Sequence, residues 1–174
     1  MKNLFTTLFI LALGFSFETT SDTEVLIKGY SVWGKDLLDR LNGMFAFAIY
    51  DSTKGEIFCA RDRLGVKPFF YYWKDGDFEI ASQLSPLINE KSEISEDAIS
   101  VYLDCGYVPS PYSILENVYK LSPGNFMVID LNKKTKVISE YWNLKPVKEK
   151  EISYEDAKKE LHALLINAVK IRMQ

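Results

Sequence analysis

The sequence has 174 residues, a formal net charge of -3, and an apolar fraction of 47% that includes 14% aromatic residues. This composition predicts a chain with a substantial core and excludes extended disorder. The acidic balance, without a sustained basic run, argues against nucleic-acid binding. Two isolated cysteines and one histidine are too few for a metal site or a disulfide framework. We therefore expect a cytoplasmic protein that binds neither nucleic acid nor metal.

The first fifteen residues include an apolar run, Leu4 to Leu13, behind Met1 and Lys2. Three interpretations stay open: a secretory signal, a core helix, or an incorrect start within a longer reading frame. The run lacks a small-residue cleavage site and is too short to span a membrane. The expectation is therefore no membrane insertion, with secretion as the alternative to the cytoplasm.

The segment from residue 21 to residue 41 is predicted to be helical. Ser21 and Glu24 have the S-x-x-E spacing of a capping box. The apolar stripe that follows is interrupted at Gly34, and a further helical turn leads to Leu41. The residues of the stripe are Val25, Leu26, Tyr30 and Trp33.

Three antiparallel hairpins and a short helix are predicted next. The unbroken apolar run Met44 to Tyr50 predicts a strand buried on both faces, and Asp51 to Gly55 supplies a turn. The short helix runs from Ser95 to about Gly106. The predicted hairpins pair Met44 to Tyr50 with Glu56 to Arg61, Phe69 to Trp73 with Phe78 to Ser82, and Asn125 to Leu131 with Val137 to Trp142.

Composition changes at residues 143–152, a charged stretch with one proline that predicts a linker. Ser153 and Asp156 then cap a long helix whose apolar stripe has little chain left to cover it. We predict one domain over residues 1–142, a linker over 143–152, and over 153–174 the first helix of a domain that this sequence does not contain.

The exit of the first hairpin carries Arg61, Asp62 and Gly65. A polar corner between buried strands needs internal hydrogen-bonding partners, which the two charged side chains can supply. We interpret the three residues as a structural corner and not as catalysts.

Four short motifs together resemble the class II glutamine amidotransferase domain of glutamine-dependent asparagine synthetases, truncated at both ends. They are Thr19 to Val25, Leu41 to Ala48, Ala60 to Pro68 and Leu121 to Gly124. The resemblance implies an α+β fold of the N-terminal-nucleophile hydrolase type, a four-layer αββα sandwich of antiparallel sheets that is incomplete at its N-terminus. It also implies a parent enzyme that makes asparagine from aspartate, ATP with Mg, and ammonia from glutamine.

The chemistry of that family begins with an N-terminal cysteine, whose free amino group activates its own thiol. This sequence begins with Met1 and Lys2, and it lacks the family's early arginine, its oxyanion-site Asn-Gly pair and its pyrophosphate loop. The resemblance therefore predicts no catalytic residue and no cofactor in this chain, which we expect to be inactive alone. The alternative is a non-catalytic module that binds an amino acid or docks on a partner.

By resemblance, Asp22 matches the aspartate that binds the α-amino group of glutamine. Glutamine is accordingly a weak candidate partner, beside the absent synthetase domain or a complementary fragment. From the residues alone, Asp22 complements the positive end of its helix. Gln83 departs from the glutamate frequent in the family, and His162 is interpreted as a surface or interface residue.

Overall fold

The computed structural model describes residues 18–19, 21–146, 149 and 151–173. The apolar run predicted near the N-terminus lies outside these ranges. The helices are α1 (Asp22–Trp33), α2 (Leu37–Arg40), α3 (Glu96–Cys105) and α4 (Tyr154–Arg172), with 3₁₀ turns at Gly34–Asp36 and Ser85–Leu87. The strands are β1 (Ala46–Asp51), β2 (Glu56–Arg61), β3 (Phe70–Lys74), β4 (Asp77–Ala81), β5 (Val118–Lys120), β6 (Asn125–Asp130) and β7 (Thr135–Glu140).

The strands form two antiparallel sheets, which gives an α+β fold. The first sheet has the order β1-β2-β6-β7 and the second the order β4-β3-β5. The three predicted hairpins are confirmed as β1-β2, β3-β4 and β6-β7. Long-range pairing of β2 with β6, and of β3 with β5, joins the hairpins into sheets.

The apolar core is divided by the first sheet. Cys59 and Met127 lie on the face that packs against Tyr71 of the second sheet. The opposite face, which carries Phe58, is covered by α1 and α2 through residues that include Leu38. Cys59 and Phe58 therefore lie on opposite faces of β2, as successive side chains of a strand do. This arrangement fixes α1 on the outer face of the first sheet.

The prediction that the first strand is buried on both faces is wrong. Among the strands of the described residues, β1 lies at the edge of its sheet, and Tyr50 is 63% exposed. Phe47 and Ile49 do pack beneath the helices, so one face behaves as predicted. An unbroken apolar run cannot distinguish an edge strand from a central one when the exposed face carries alanine and tyrosine.

The C-terminal helix is confirmed as α4. Ser153 caps it by accepting a hydrogen bond from the Asp156 N–H at 3.1 Å. None of its described residues is buried, and Leu164 is 66% exposed. No helix in the described ranges is long and apolar enough to cross a lipid bilayer. The division into domain, linker and following domain remains a prediction.

Candidate functional site

A pocket of about 100 Å³ lies between the start of α1 and the segment that leads into β1. Asp22 is exposed at its rim, and Val25 contributes buried apolar surface. A carboxylate above apolar walls suits a ligand with a cationic head and a short aliphatic body. The lining residues are Asp22, Val25, Leu26, Leu41, Asn42, Gly43, Met44 and Phe45.

The start of α1 fixes the position of Asp22. Ser21 is the N-cap, and its hydroxyl accepts a hydrogen bond from the Thr23 N–H at 3.2 Å. The predicted helix start is therefore confirmed, with Asp22 as the first helical residue. An acidic side chain here complements the positive end of the helix whether or not it also meets a ligand.

The reciprocal half of the predicted capping box is wrong. The Glu24 carboxylate does not return to Ser21; it accepts hydrogen bonds from the N–H groups of Glu18 at 2.9 Å and Thr19 at 2.8 Å. The Lys28 ammonium also donates to it. Hydrogen bonds from Lys28, Thr19 and the Glu18 backbone lower the pKa of Glu24 to about 2. Glu24 thus holds the chain just before α1, beside the pocket.

We expect the hydrogen bonds between the Glu24 carboxylate and the Glu18 and Thr19 N–H groups to persist at acidic pH. Because the pKa of Glu24 is lowered in the folded chain, its contribution to stability is fully present above the ordinary glutamate value of 4.5 and is lost as the pH falls toward about 2. The chemical shifts of the Glu18 and Thr19 amide protons should therefore titrate with a midpoint well below 4.5. Glu24→Gln should remove that titration, whereas a midpoint near 4.5 in the wild-type chain would contradict this expectation.

The opposite wall of the pocket, residues 41–45, is held at both ends. The Arg63 guanidinium donates to the carbonyl oxygens of Leu41 at 2.6 Å and Leu38 at 3.3 Å. The Asp62 N–H donates to the Phe45 carbonyl oxygen at 2.8 Å. The segment that faces Asp22 is therefore tied to the residues just after β2.

Asp62 organises the loop that follows β2. Its side chain is buried, with a relative exposure of 2%. One carboxylate oxygen accepts from the N–H groups of Leu64 at 3.2 Å and Val66 at 3.0 Å, and the other from Lys67 at 2.9 Å. The Asp62 carbonyl oxygen also accepts from the Gly124 N–H at 3.0 Å. A buried carboxylate is tolerated here because backbone donors surround it.

Arg61 also holds this loop, through hydrogen bonds to backbone carbonyl oxygens. Its guanidinium donates to the carbonyl oxygens of Leu121 at 2.7 Å, Gly65 at 2.8 Å and Lys67 at 2.8 Å. Burial lowers the pKa of Arg61, and the Asp62 charge acts in the opposite direction. The two side chains share a loop whose backbone they hold, which is the geometry expected of a structural corner. That role remains a prediction.

Gly65 fits this corner for a steric reason. Its φ of +64° is a left-handed conformation that favours glycine. An added Cβ would also lie 2.7 Å from Pro123 Cγ and 3.1 Å from the Arg61 guanidinium.

The other candidate residues lie away from the pocket lining. Cys59 is fully buried between the sheets, and burial raises the pKa of its thiol to about 12. Cys105 is exposed at the end of α3, and Gln83 and His162 are also exposed. Among the described residues, no three His, Cys, Asp or Glu side chains come together as metal ligands would.

Sequence reasoning missed Arg63 and the wall that it holds. Arg63 contacts Leu38 and Leu41, which are 25 and 22 residues earlier in the chain. The only local signal was a second arginine in the Arg61-Asp62-Arg63 run, which does not reveal such distant carbonyl partners.

Comparison with known proteins identifies the family of this chain. The fold is similar to that of the glutamine phosphoribosylpyrophosphate amidotransferase of Bacillus subtilis, with a TM-score of 0.53 and 19% identity over 80% of this chain and 26% of that one. Residues 6–142 match the model of the glutamine amidotransferase domain. The chain belongs to this family, in its class II branch related to asparagine synthetases.

The most informative relatives are much longer than this chain. A putative glutamine-hydrolysing asparagine synthetase 2 of Methanocaldococcus jannaschii is 45% identical over 165 residues, which cover 90% of this chain and 31% of the relative. The asparagine synthetase 3 of Bacillus subtilis is 34% identical over 162 residues, which cover 91% and 26% respectively. The chain thus spans about a third or less of the length of these relatives.

Proposed function

We propose that this chain is the amidotransferase part of a glutamine-dependent asparagine synthetase and that its pocket receives the α-ammonium group of glutamine. The parent reaction is the ATP-dependent amidation of aspartate with ammonia from glutamine, with ATP and Mg bound outside this chain. The observation that carries the proposal is Asp22 at the rim of an apolar-walled pocket in a chain of this family.

The residues that line the pocket are chemically suited to bind the α-ammonium group of an amino acid. Asp22 supplies a carboxylate for the ammonium group, and charge-assisted hydrogen bonds give both affinity and orientation. Leu26 and Phe45 supply apolar surface for the aliphatic part of a ligand. Since Asp22 is exposed and the pocket is small, we expect weak binding.

A comparison of two ligands tests this proposal. We expect L-glutamine to shift the amide signals of residues 22–26 and 41–45, and 4-carbamoylbutanoate, which lacks the α-amino group, to shift them at least about tenfold less at equal concentration. Equal responses to both compounds would contradict ammonium recognition, as would no response to either.

We also propose that the chain alone does not hydrolyse glutamine. The buried Cys59 thiol, with its pKa raised to about 12, is a poor nucleophile, and Cys105 lies within α3, where its backbone nitrogen is a peptide N–H and not a free amine that could act as a base. Ammonia release from glutamine by the pure chain, above that of a boiled control, would overturn this proposal.

The finer fold assignment, a four-layer αββα sandwich of the N-terminal-nucleophile hydrolase type, is likewise proposed. Helices α1 and α2, the first sheet and the second sheet supply three layers in that order. The outer face of the second sheet packs on a cluster that includes Leu87 and Leu115, in the place of the fourth layer.

A docking role for α4 is the second candidate function. Its apolar residues are exposed, with Leu161 at 58%, Leu164 at 66% and Leu165 at 57%. We propose that in the whole protein this helix packs against the synthetase part or a complementary fragment, because buried apolar surface is the main driving force of such contacts.

In the isolated chain the apolar residues of α4 are uncovered, so without its proposed partner we expect this face to drive self-association. We expect Leu164→Lys to shift the chain toward monomer in sedimentation experiments, and the polar-face change Lys159→Glu to leave the distribution unchanged. Identical sedimentation of the wild-type chain and Leu164→Lys would contradict the docking role.

A further inference from the structure

We propose that Arg63 is a positioning residue for the ligand pocket: it fixes the wall opposite Asp22 without contacting the ligand. The inference rests on the proposed function for its ligand, and its structural part stands on the hydrogen bonds of Arg63 alone. Arg63 is not among the residues that line the pocket.

The guanidinium acts on the end of a helix. The last carbonyl groups of α2 have no partners within the helix, and the Leu38 and Leu41 carbonyl oxygens both receive hydrogen bonds from Arg63. The planar fork of arginine can hold two acceptors at once, which a lysine ammonium does with less geometric constraint. Arg63 therefore sets the direction in which the chain leaves α2.

A second contact orients Arg63 itself. Its guanidinium lies 6.0 Å from the ring centroid of Tyr141, within the range of a cation–π contact. The Tyr141 hydroxyl donates to the Arg61 carbonyl oxygen at 2.8 Å. The ring is thus tied to β2, and the guanidinium is held between that ring and the end of α2.

The residues that face Asp22 depend on these anchors. Asn42, Gly43 and Met44 are exposed and lie between the Leu41 carbonyl, bound by Arg63, and the Phe45 carbonyl, bound by the Asp62 N–H. Releasing one end should let the wall move away from Asp22. A binding site that must be ordered on binding has lower affinity than one that is already formed.

Two measurements test this role: the heteronuclear ¹H–¹⁵N NOE of residues 42–44, and the affinity for L-glutamine. We expect Arg63→Met to lower the NOE of these three amides and to weaken glutamine binding about tenfold. Arg40→Met is the matched control, because Arg40 lies in α2, the helix whose end Arg63 holds, but its guanidinium packs on the Trp33 ring. It should leave both quantities unchanged.

If Arg63→Met fails to fold, Arg63→Lys replaces it in the test, because lysine keeps the positive charge but not the planar guanidinium. We expect Arg63→Lys to lower the NOE and the affinity for L-glutamine in the same direction but by less. A folded Arg63 variant with an unchanged NOE at residues 42–44 would overturn the inference. If Arg63→Met lowers the NOE but the wild-type chain does not bind L-glutamine, the positioning role is supported and the proposed function is contradicted. The two proposals can therefore fail separately.

Discussion

Replacing Asp62 with alanine is expected to lower the free energy of unfolding by about 3 kcal/mol or more. The carboxylate is 2% exposed and accepts hydrogen bonds from three backbone amides, those of Leu64, Val66 and Lys67. Without it, these donors lose their acceptor in a place that water reaches poorly. Urea unfolding, followed by circular dichroism, measures the change.

Asp130 provides the matched control. Its carboxylate accepts from the Asn132 N–H at 3.0 Å and the Lys133 N–H at 2.9 Å, in a turn where the side chain is 20% exposed. Water can replace it there, so Asp130→Ala should cost only about 1 kcal/mol. Asp62→Asn, which keeps one oxygen acceptor, should fall between the two alanine variants. Equal losses for Asp62→Ala and Asp130→Ala would contradict the role of burial.

Replacing Lys136 with alanine is expected to cost about 2 kcal/mol. This lysine lies on β7, at the edge of the first sheet in the described part of the chain, and is directed at the second sheet. Its ammonium lies 4.9 Å from the ring centroid of Tyr71, 4.7 Å from that of Trp73 and 5.0 Å from that of Tyr119. An inward-directed charge at a sheet edge also opposes pairing with another strand.

Lys136→Met separates the charge from the packing. Burial lowers the pKa of Lys136, so desolvation opposes the charge and part of the ring attraction is offset. We therefore expect a loss of only about 1 kcal/mol for methionine, since it keeps much of the apolar stem. Lys134→Met, which removes an exposed 3.8 Å contact with Asp77, should be close to neutral. Urea unfolding monitored by tryptophan fluorescence compares the three variants, and a neutral Lys136→Ala would contradict the account.

Much of the fold could be predicted because its signals are local. The turn Asp51 to Gly55, the helix start at Ser95 and the returning strand Glu56 to Arg61 each depend on residues close together in the chain, and each is confirmed. The same local evidence failed at β1. Its position at a sheet edge depends on which strands pair, and an apolar run does not contain that information.

The candidate site could be predicted only in part, for the same reason. Asp22 stood out through its motif, and the position of the helix start is confirmed. The opposite wall depends on Arg63, which reaches carbonyl groups more than twenty residues away, and Lys136 meets aromatic rings from another sheet. Glu24 had the right spacing for a capping box, but nearby backbone donors at Glu18 and Thr19 bind its carboxylate instead.

Calorimetric titration of L-glutamine into two variants shows whether Asp22 receives the ammonium group of glutamine, as we propose. Asp22→Asn should weaken binding about tenfold or more, because a charge-assisted hydrogen bond is lost. Asp97→Asn removes an acid from the first turn of α3, at a site that does not line the pocket, and should bind as the wild-type chain does. Unchanged binding by Asp22→Asn, or equal weakening in both variants, would contradict the account and leave Asp22 as a complement to its helix dipole.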